Sequence, residues 1–112
     1  MIDSIVDNSD VVERITEVTV CALPETYPSR FHWEIKVAYR GDDRWAVVSA
    51  PFVLSFFSEA WAYELLSSGR TDEWLAEHRG TYEQALRLAR KHAPIIKING
   101  RTAAQALKDF PA

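Results

Sequence analysis

The sequence is poor in the residues that usually announce chemistry. A single cysteine, Cys21, stands among 112 residues. No intramolecular disulfide can form, and nothing points to an oxidising compartment. The three histidines, His32, His78 and His92, fall at no metal-ligand spacing and lie far from Cys21 in sequence, so no metal site is expected. Only four glycines are present. None belongs to a phosphate-cradling loop, and there is no Gly-x-Ser-x-Gly elbow. No cofactor is expected. A net charge of −3 is too small to announce a nucleic-acid binder by itself. No apolar run approaches the ~18 residues of a membrane span; the longest are broken by Pro51 and Ser55. The start, Met1-Ile2-Asp3-Ser4, lacks the basic and apolar regions of a signal peptide. A cytoplasmic protein without membrane contact is the expectation.

What is present is ordinary globular composition, with 47% apolar and 26% charged residues. At this length one domain over residues 1–112 is expected, with residues 1–10, polar and acidic, as a loose N-terminal arm. Charge is unevenly spread. Residues 1–79 carry 14 acids and 7 Lys/Arg, and residues 80–112 carry 2 acids and 6 Lys/Arg. The molecule is therefore dipolar along its sequence.

β-Branched residues predict a strand over about 13–22. Phe31, Trp33, Ile35, Val37 and Tyr39 alternate with polar positions and predict a half-buried strand from Phe31 to Arg40. Gly41-Asp42-Asp43 makes a hairpin loop. Arg44 to about Phe56 reads as a third strand, Ser58-Glu59 as a turn, and Ala60 to Leu65 as a fourth strand, although residues 56–66 also fit a helical period. Thr71 caps a short helix that Gly80 stops. Thr81 and Gln84 form a capping box for a helix to about His92, with Tyr82, Ala85, Leu86, Ala89 and Ala93 as its core stripe. Residues 95–98 read as a short strand. A second capping box, Thr102 with Gln105, opens a last helix to Phe110. The class is α+β: a mainly antiparallel sheet of four to five strands with two to three C-terminal helices packed on one face.

No catalytic constellation is legible, and a non-enzymatic protein is expected. Cys21 sits in an apolar strand, as a small hydrophobe does. Glu34 and Glu64 are within reach of pairing across strands, but read more simply as wet-face acids. Arg40-Gly41-Asp42 spells an integrin-recognition tripeptide at a hairpin tip; turn chemistry accounts for it. A cleft gathering His78, Asp72 and an arginine would reopen the enzymatic reading.

Two surfaces stand out. The segment Phe52-Val53-Leu54-Ser55-Phe56-Phe57, followed by Trp61, is too apolar for one strand face, because neighbouring side chains point to opposite sides. Either a second layer covers the surplus, or Phe52, Leu54, Phe56, Phe57 and Trp61 form a protein-binding patch. The second surface is basic. Arg87, Arg90 and Lys91 share a helix face, with Lys97 and Arg101 beyond. They either bind nucleic-acid phosphates or form a solvated face balancing the acidic N-terminal part.

Trp33-Glu34-Ile35, Tyr39-Arg40-Gly41 and Arg44-Trp45-Ala46-Val47 resemble small uncharacterised proteins of mycobacteriophages and related actinobacterial phages. So do Ser68-x-Arg70-x-Asp72-x-Trp74-Leu75-Ala76-x-His78-Arg79, Ala85-Leu86-Arg87-Leu88-Ala89 and Ile98-Asn99-Gly100-Arg101-Thr102. The similarity spans about residues 31–106. It differs at Leu54–Ser58, aromatic here where the family has a polar, Asp/Gly-rich turn, which favours a contact particular to this chain. The resemblance implies a non-catalytic accessory protein in the cytoplasm of an infected host, binding a host or phage protein, and compatible with a homodimer.

Overall fold

The computed structural model describes residues 11–111. The expected N-terminal arm at residues 1–10 lies outside them. Five strands, β1 (Glu17–Val20), β2 (Ile35–Tyr39), β3 (Trp45–Ser49), β4 (Phe52–Leu54) and β5 (Trp61–Tyr63), form one antiparallel sheet. Their order in the sheet is their order in the chain. Three helices follow: α1 (Asp72–His78), α2 (Tyr82–His92) and α3 (Ala103–Asp109). The α+β class stands. Among the described residues no helix is long and apolar enough to cross a membrane.

The β2–β3 hairpin forms where expected. Arg40 and Arg44 close it, the Arg40 N–H donating to the Arg44 carbonyl at 2.8 Å. Gly41, Asp42 and Asp43 take positive φ, conformations that glycine adopts freely and Asp tolerates. The strand expected over 44–56 is in fact two. The chain reverses at Ala50-Pro51 and returns as β4, with Val48 opposite Val53 and Ser49 opposite Phe52. Proline has no N–H for a ladder, and here it marks the turn. Residues 30–33 form a 3-10 turn ahead of β2. This leaves Phe31 exposed while Trp33 is buried. The helical alternative for 56–66 is not adopted. The strand expected at 95–98 is also absent: the Ile95 and Ile96 N–H groups both donate to the His92 carbonyl, continuing the helix end, and only an isolated bridge joins Ile98 to Arg101.

Period two divides the strand residues between two layers. One face carries Ile35, Val37, Val47 and Leu54, packed against Ala85, Leu88, Ala89 and Ala93 around α2. The opposite face carries Ala38, Ala46, Val48 and Val53, and Trp74 of α1 packs on it. A smaller core joins Leu23, Tyr27 and Trp33 to Ala103 and Ala106 of α3. The Tyr27 hydroxyl donates to the carbonyls of Ala106 and Phe110, and Trp33 Nε1 donates to that of Arg101. Part of the apolar surplus of the 52–57 segment thus has a second layer, with Val53 facing Trp74 while Leu54 faces α2; Phe52 and Phe57 stay exposed.

Helices on both faces require the chain to cross the sheet plane, which it does at Glu77–Gly80. The Phe56 N–H donates to the Glu77 carbonyl at 2.7 Å, and Gly80 exchanges both backbone hydrogen bonds with Trp45. The crossing segment thus hydrogen-bonds both to Trp45 of β3 and to Phe56, two residues beyond β4. A Cβ on Gly80 would collide with the Phe56 ring and lie 2.7 Å from Gln84 Oε1. The close approach demands glycine here, beyond any role in stopping α1.

Candidate functional site

The crossing brings together two surfaces that lie about thirty residues apart in sequence. A cleft of about 560 Å³ opens between the β4–β5 turn, the end of α1 and one side of α2. Phe56, Phe57 and Glu59 form one wall, and Gln84, Arg87, Leu88 and Lys91 form the other.

The turn is held from within. Ser55 is buried, and its hydroxyl oxygen accepts from the N–H groups of Phe57 (3.2 Å) and Ser58 (3.0 Å). The Glu59 N–H donates back to the Ser55 carbonyl, and Glu59 takes φ +59°. A non-glycine residue in that region costs about 1 kcal/mol or more, and local contacts offset it. The Glu59 carboxylate meets Lys91 Nζ at 2.8 Å and His92 Nε2 at 2.8 Å. Hydrogen bonds from Lys91 and then from His92 hold the Glu59 carboxyl below its usual range. Clamped this way, the turn packs Phe56 inward against the core and projects Phe57 outward, 72% exposed.

Five residues were expected to form the aromatic patch, and their environments differ. Leu54 is fully buried and belongs to the core, so it offers nothing to a partner. Phe56 and Trp61 are partly buried at the core margin. Phe52 packs at a tilt against Tyr63, with ring centroids 4.9 Å apart, outside the cleft lining. Phe57 alone is an exposed aromatic at the cleft. The basic residues also separate. Arg87 and Lys91 line the cleft, and Arg87 makes no ion pair among the described residues. Arg90 is exposed on α2 outside the cleft lining. Lys97 borders a small groove with Phe52, Trp61, Ile96 and Ile98. Arg101 pairs with Asp109 at 2.9 Å and covers the Phe110 ring.

Arg79, which also lines the cleft, belongs to an ion cluster that the sequence did not announce. Glu64 accepts two hydrogen bonds from Arg40 (both 3.1 Å) and one from Arg79 (3.2 Å), with Arg70 at 3.8 Å. The Arg79 side chain is only 3% exposed. It also donates to the His78 carbonyl and lies over the Trp74 ring, on which His78 stacks. Burial would raise the Glu64 carboxyl, but the Arg40 hydrogen bond and the charges of Arg40, Arg79 and Arg70 outweigh it and the net shift is downward. Burial pushes the Arg79 guanidinium down, against the pull of Glu64. Arg40 of the integrin-like tripeptide is thereby committed to an internal carboxylate. Glu34 pairs instead with Arg30 and Lys36, so the two glutamates serve separate networks.

Asp72 sits exposed at the start of α1 while His78 is buried against Trp74, and the cleft lining includes neither. Among the described residues, no three His, Cys, Asp or Glu side chains are grouped to hold a metal ion. Comparison with protein-family models, curated proteins and solved structures finds no match.

Proposed function

We propose that this chain is a non-catalytic accessory protein that captures a segment of a partner protein in the cleft between Phe57 and α2. The observation that carries the reading is Phe57 itself. A phenylalanine held outward on a hydrogen-bonded turn, beside Arg87, which has no ion pair among the described residues, and the half-exposed Lys91, has the anatomy of an interface anchor. Aromatic and arginine side chains dominate binding energy where they are rigid and adjacent. The occupant is a peptide segment with an apolar side chain for Phe57 and Leu88 and a carboxylate for Arg87. With the resemblance to actinobacterial phage proteins, the reading extends to a host or phage protein met in the host cytoplasm.

The test is capture from nuclease-treated actinobacterial lysate, read by mass spectrometry, using wild type and Phe57→Asp. A defined partner retained by wild type and lost by a folded Phe57→Asp supports the reading. Equal retention by both overturns it. Phe56 is unsuitable for this experiment because it packs against the core and Gly80.

One observation favours nucleic acid as a second reading: Phe57 supplies the aromatic platform that single-strand binding needs beside its cations. Arg87 and Lys91 would then release counterions, and log affinity would fall with log salt at a slope of about −1.4 for two phosphate contacts on a single strand. The absence of any shift with DNA or RNA at low salt removes this reading.

A further inference from the structure

The two edges of the sheet are built differently. β1 is guarded by charge: Lys36 from the neighbouring strand reaches Thr19 Oγ1 at 3.0 Å and Glu17 at 3.9 Å. β5 has no such guard. Its surroundings read Ala60-Trp61-Ala62-Tyr63-Glu64-Leu65-Leu66, without lysine or proline, and its one charge, Glu64, is folded back onto Arg40 and Arg79. Edge strands of this kind pair with other strands unless blocked.

The register shows which backbone groups are open. The Ser55 N–H donates to the Ala60 carbonyl and the Glu64 N–H donates to the Pro51 carbonyl. Val53 stands opposite Ala62. By alternation, Ala60, Ala62 and Glu64 turn their hydrogen-bonding groups toward β4, and Trp61 and Tyr63 turn theirs outward. Among the described residues nothing pairs with them. Tyr63 is 67% exposed and Leu66 81%.

We propose that β5 is a self-association edge, pairing antiparallel with β5 of a second copy about a two-fold axis at Ala62. The sequence is self-complementary in this register. Trp61 meets Tyr63 of the second copy and Tyr63 meets its Trp61, each pair exchanging both hydrogen bonds. Ala62 faces its own counterpart. Glu64 falls opposite Ala60, so no like charges meet. Moving the axis to Tyr63 leaves Trp61 opposite Leu65 and Ala62 opposite Glu64, and moving it to Trp61 sets Tyr63 against Glu59, where the strand has already turned. A two-fold normal to the sheet keeps like faces together, so Phe52, Trp61 and Tyr63 of both copies make one apolar strip beside the groove of about 220 Å³ lined by Phe52, Trp61, Ile96 and Ile98. The cleft at Phe57 plays no part in this pairing.

The edge is short, which places the interface below the standard size of roughly 800 Å² per partner and the association in the weak range. Two measurements test it. In a Cys21→Ser background, Ala62→Cys places two thiols at a non-hydrogen-bonded pair across the axis, at a separation a disulfide spans. Mild oxidation is expected to give a covalent dimer at least tenfold faster than with Ala60→Cys, whose partner across the axis is Glu64. In sedimentation of the wild type, the average mass is expected to rise toward the dimer between about 10 µM and 1 mM. Tyr63→Pro, which removes an outward N–H and no bond to β4, should shift that transition at least tenfold upward. A wild type that stays monomeric throughout, or equal cross-linking at positions 60 and 62, overturns the proposal.

Discussion

Removal of the Glu64 carboxylate is expected to cost more than any surface ion pair would suggest. Exposed pairs contribute about 0–1 kcal/mol, whereas breaking a buried pair costs about 3–5 kcal/mol because one charge is left behind. In Glu64→Ala, Arg40 and Arg70, at 30% and 24% exposure, have room to swing into water. Arg79, at 3%, does not, so the cost concentrates there. Its hydrogen bond to the His78 carbonyl and its contact with Trp74 survive and offset about 1 kcal/mol. The expected loss is about 2–4 kcal/mol, or roughly 8–16 °C in Tm for a domain of this size. Urea unfolding followed by tryptophan fluorescence measures it directly. The double variant Glu64→Ala with Arg79→Met is expected to recover most of the loss, since no buried charge remains. If the single variant lies within about 0.5 kcal/mol of wild type, or the double variant costs the sum of the singles, a desolvated Arg79 does not explain the cluster.

Gly80→Ala forces a methyl into the Phe56 ring and against Gln84 Oε1, which accepts from the Thr81 N–H in the capping box at 3.0 Å. Overpacking and a damaged cap together are expected to destabilise by about 2–4 kcal/mol in chemical denaturation; wild-type stability would show that the crossing has room to spare. The folded-state carboxyls of Glu64 and Glu59 are both lowered, so their contribution is fully present above the ordinary carboxylate value of about 4.3. It is lost as pH falls through their depressed values. Thermal unfolding between pH 3 and 7 should therefore show wild type losing stability on the acid side more steeply than Glu64→Gln, and parallel curves would refute the assignment.

Local chemistry was legible in the sequence and long-range pairing was not. The three helix caps lie where Thr71, Thr81 and Thr102 placed them, each hydroxyl accepting from the N–H three residues on. A capping box needs only its own four residues, so nothing distant can overrule it. Hydrophobic alternation, by contrast, reports burial and is silent on hydrogen-bond partners. Ile96 and Ile98 are half-buried and were expected in a strand, yet they pack side-on with no ladder. The core stripe of α2 was placed at Tyr82, Ala85, Leu86, Ala89 and Ala93. Ala85, Ala89 and Ala93 are buried there and Leu86 packs against the core margin, but the buried set also includes Leu88 and His92, which the expected stripe omitted. Tyr82 is left at the rim, edge-on to Trp45 at 4.8 Å.

The cleft shows why its two halves looked unrelated in sequence. An aromatic turn near residue 57 and a basic face near residue 90 meet only because the chain changes sides of the sheet between them. The signal for that change was a single glycine, which also fits an ordinary helix stop. Gly80 is different in kind, since it sits where a backbone slips between Phe56 and Trp45. That position sets the entry of α2, and with it the placement of Arg87 and Lys91 across from Phe57. The crossing and the binding surface are therefore coupled. A side chain at position 80 would displace Phe56, whose neighbour Phe57 is fixed to the same turn by Ser55. Gly80→Ala, where it still folds, is expected to weaken partner capture as Phe57→Asp does, although position 80 is not part of the cleft lining.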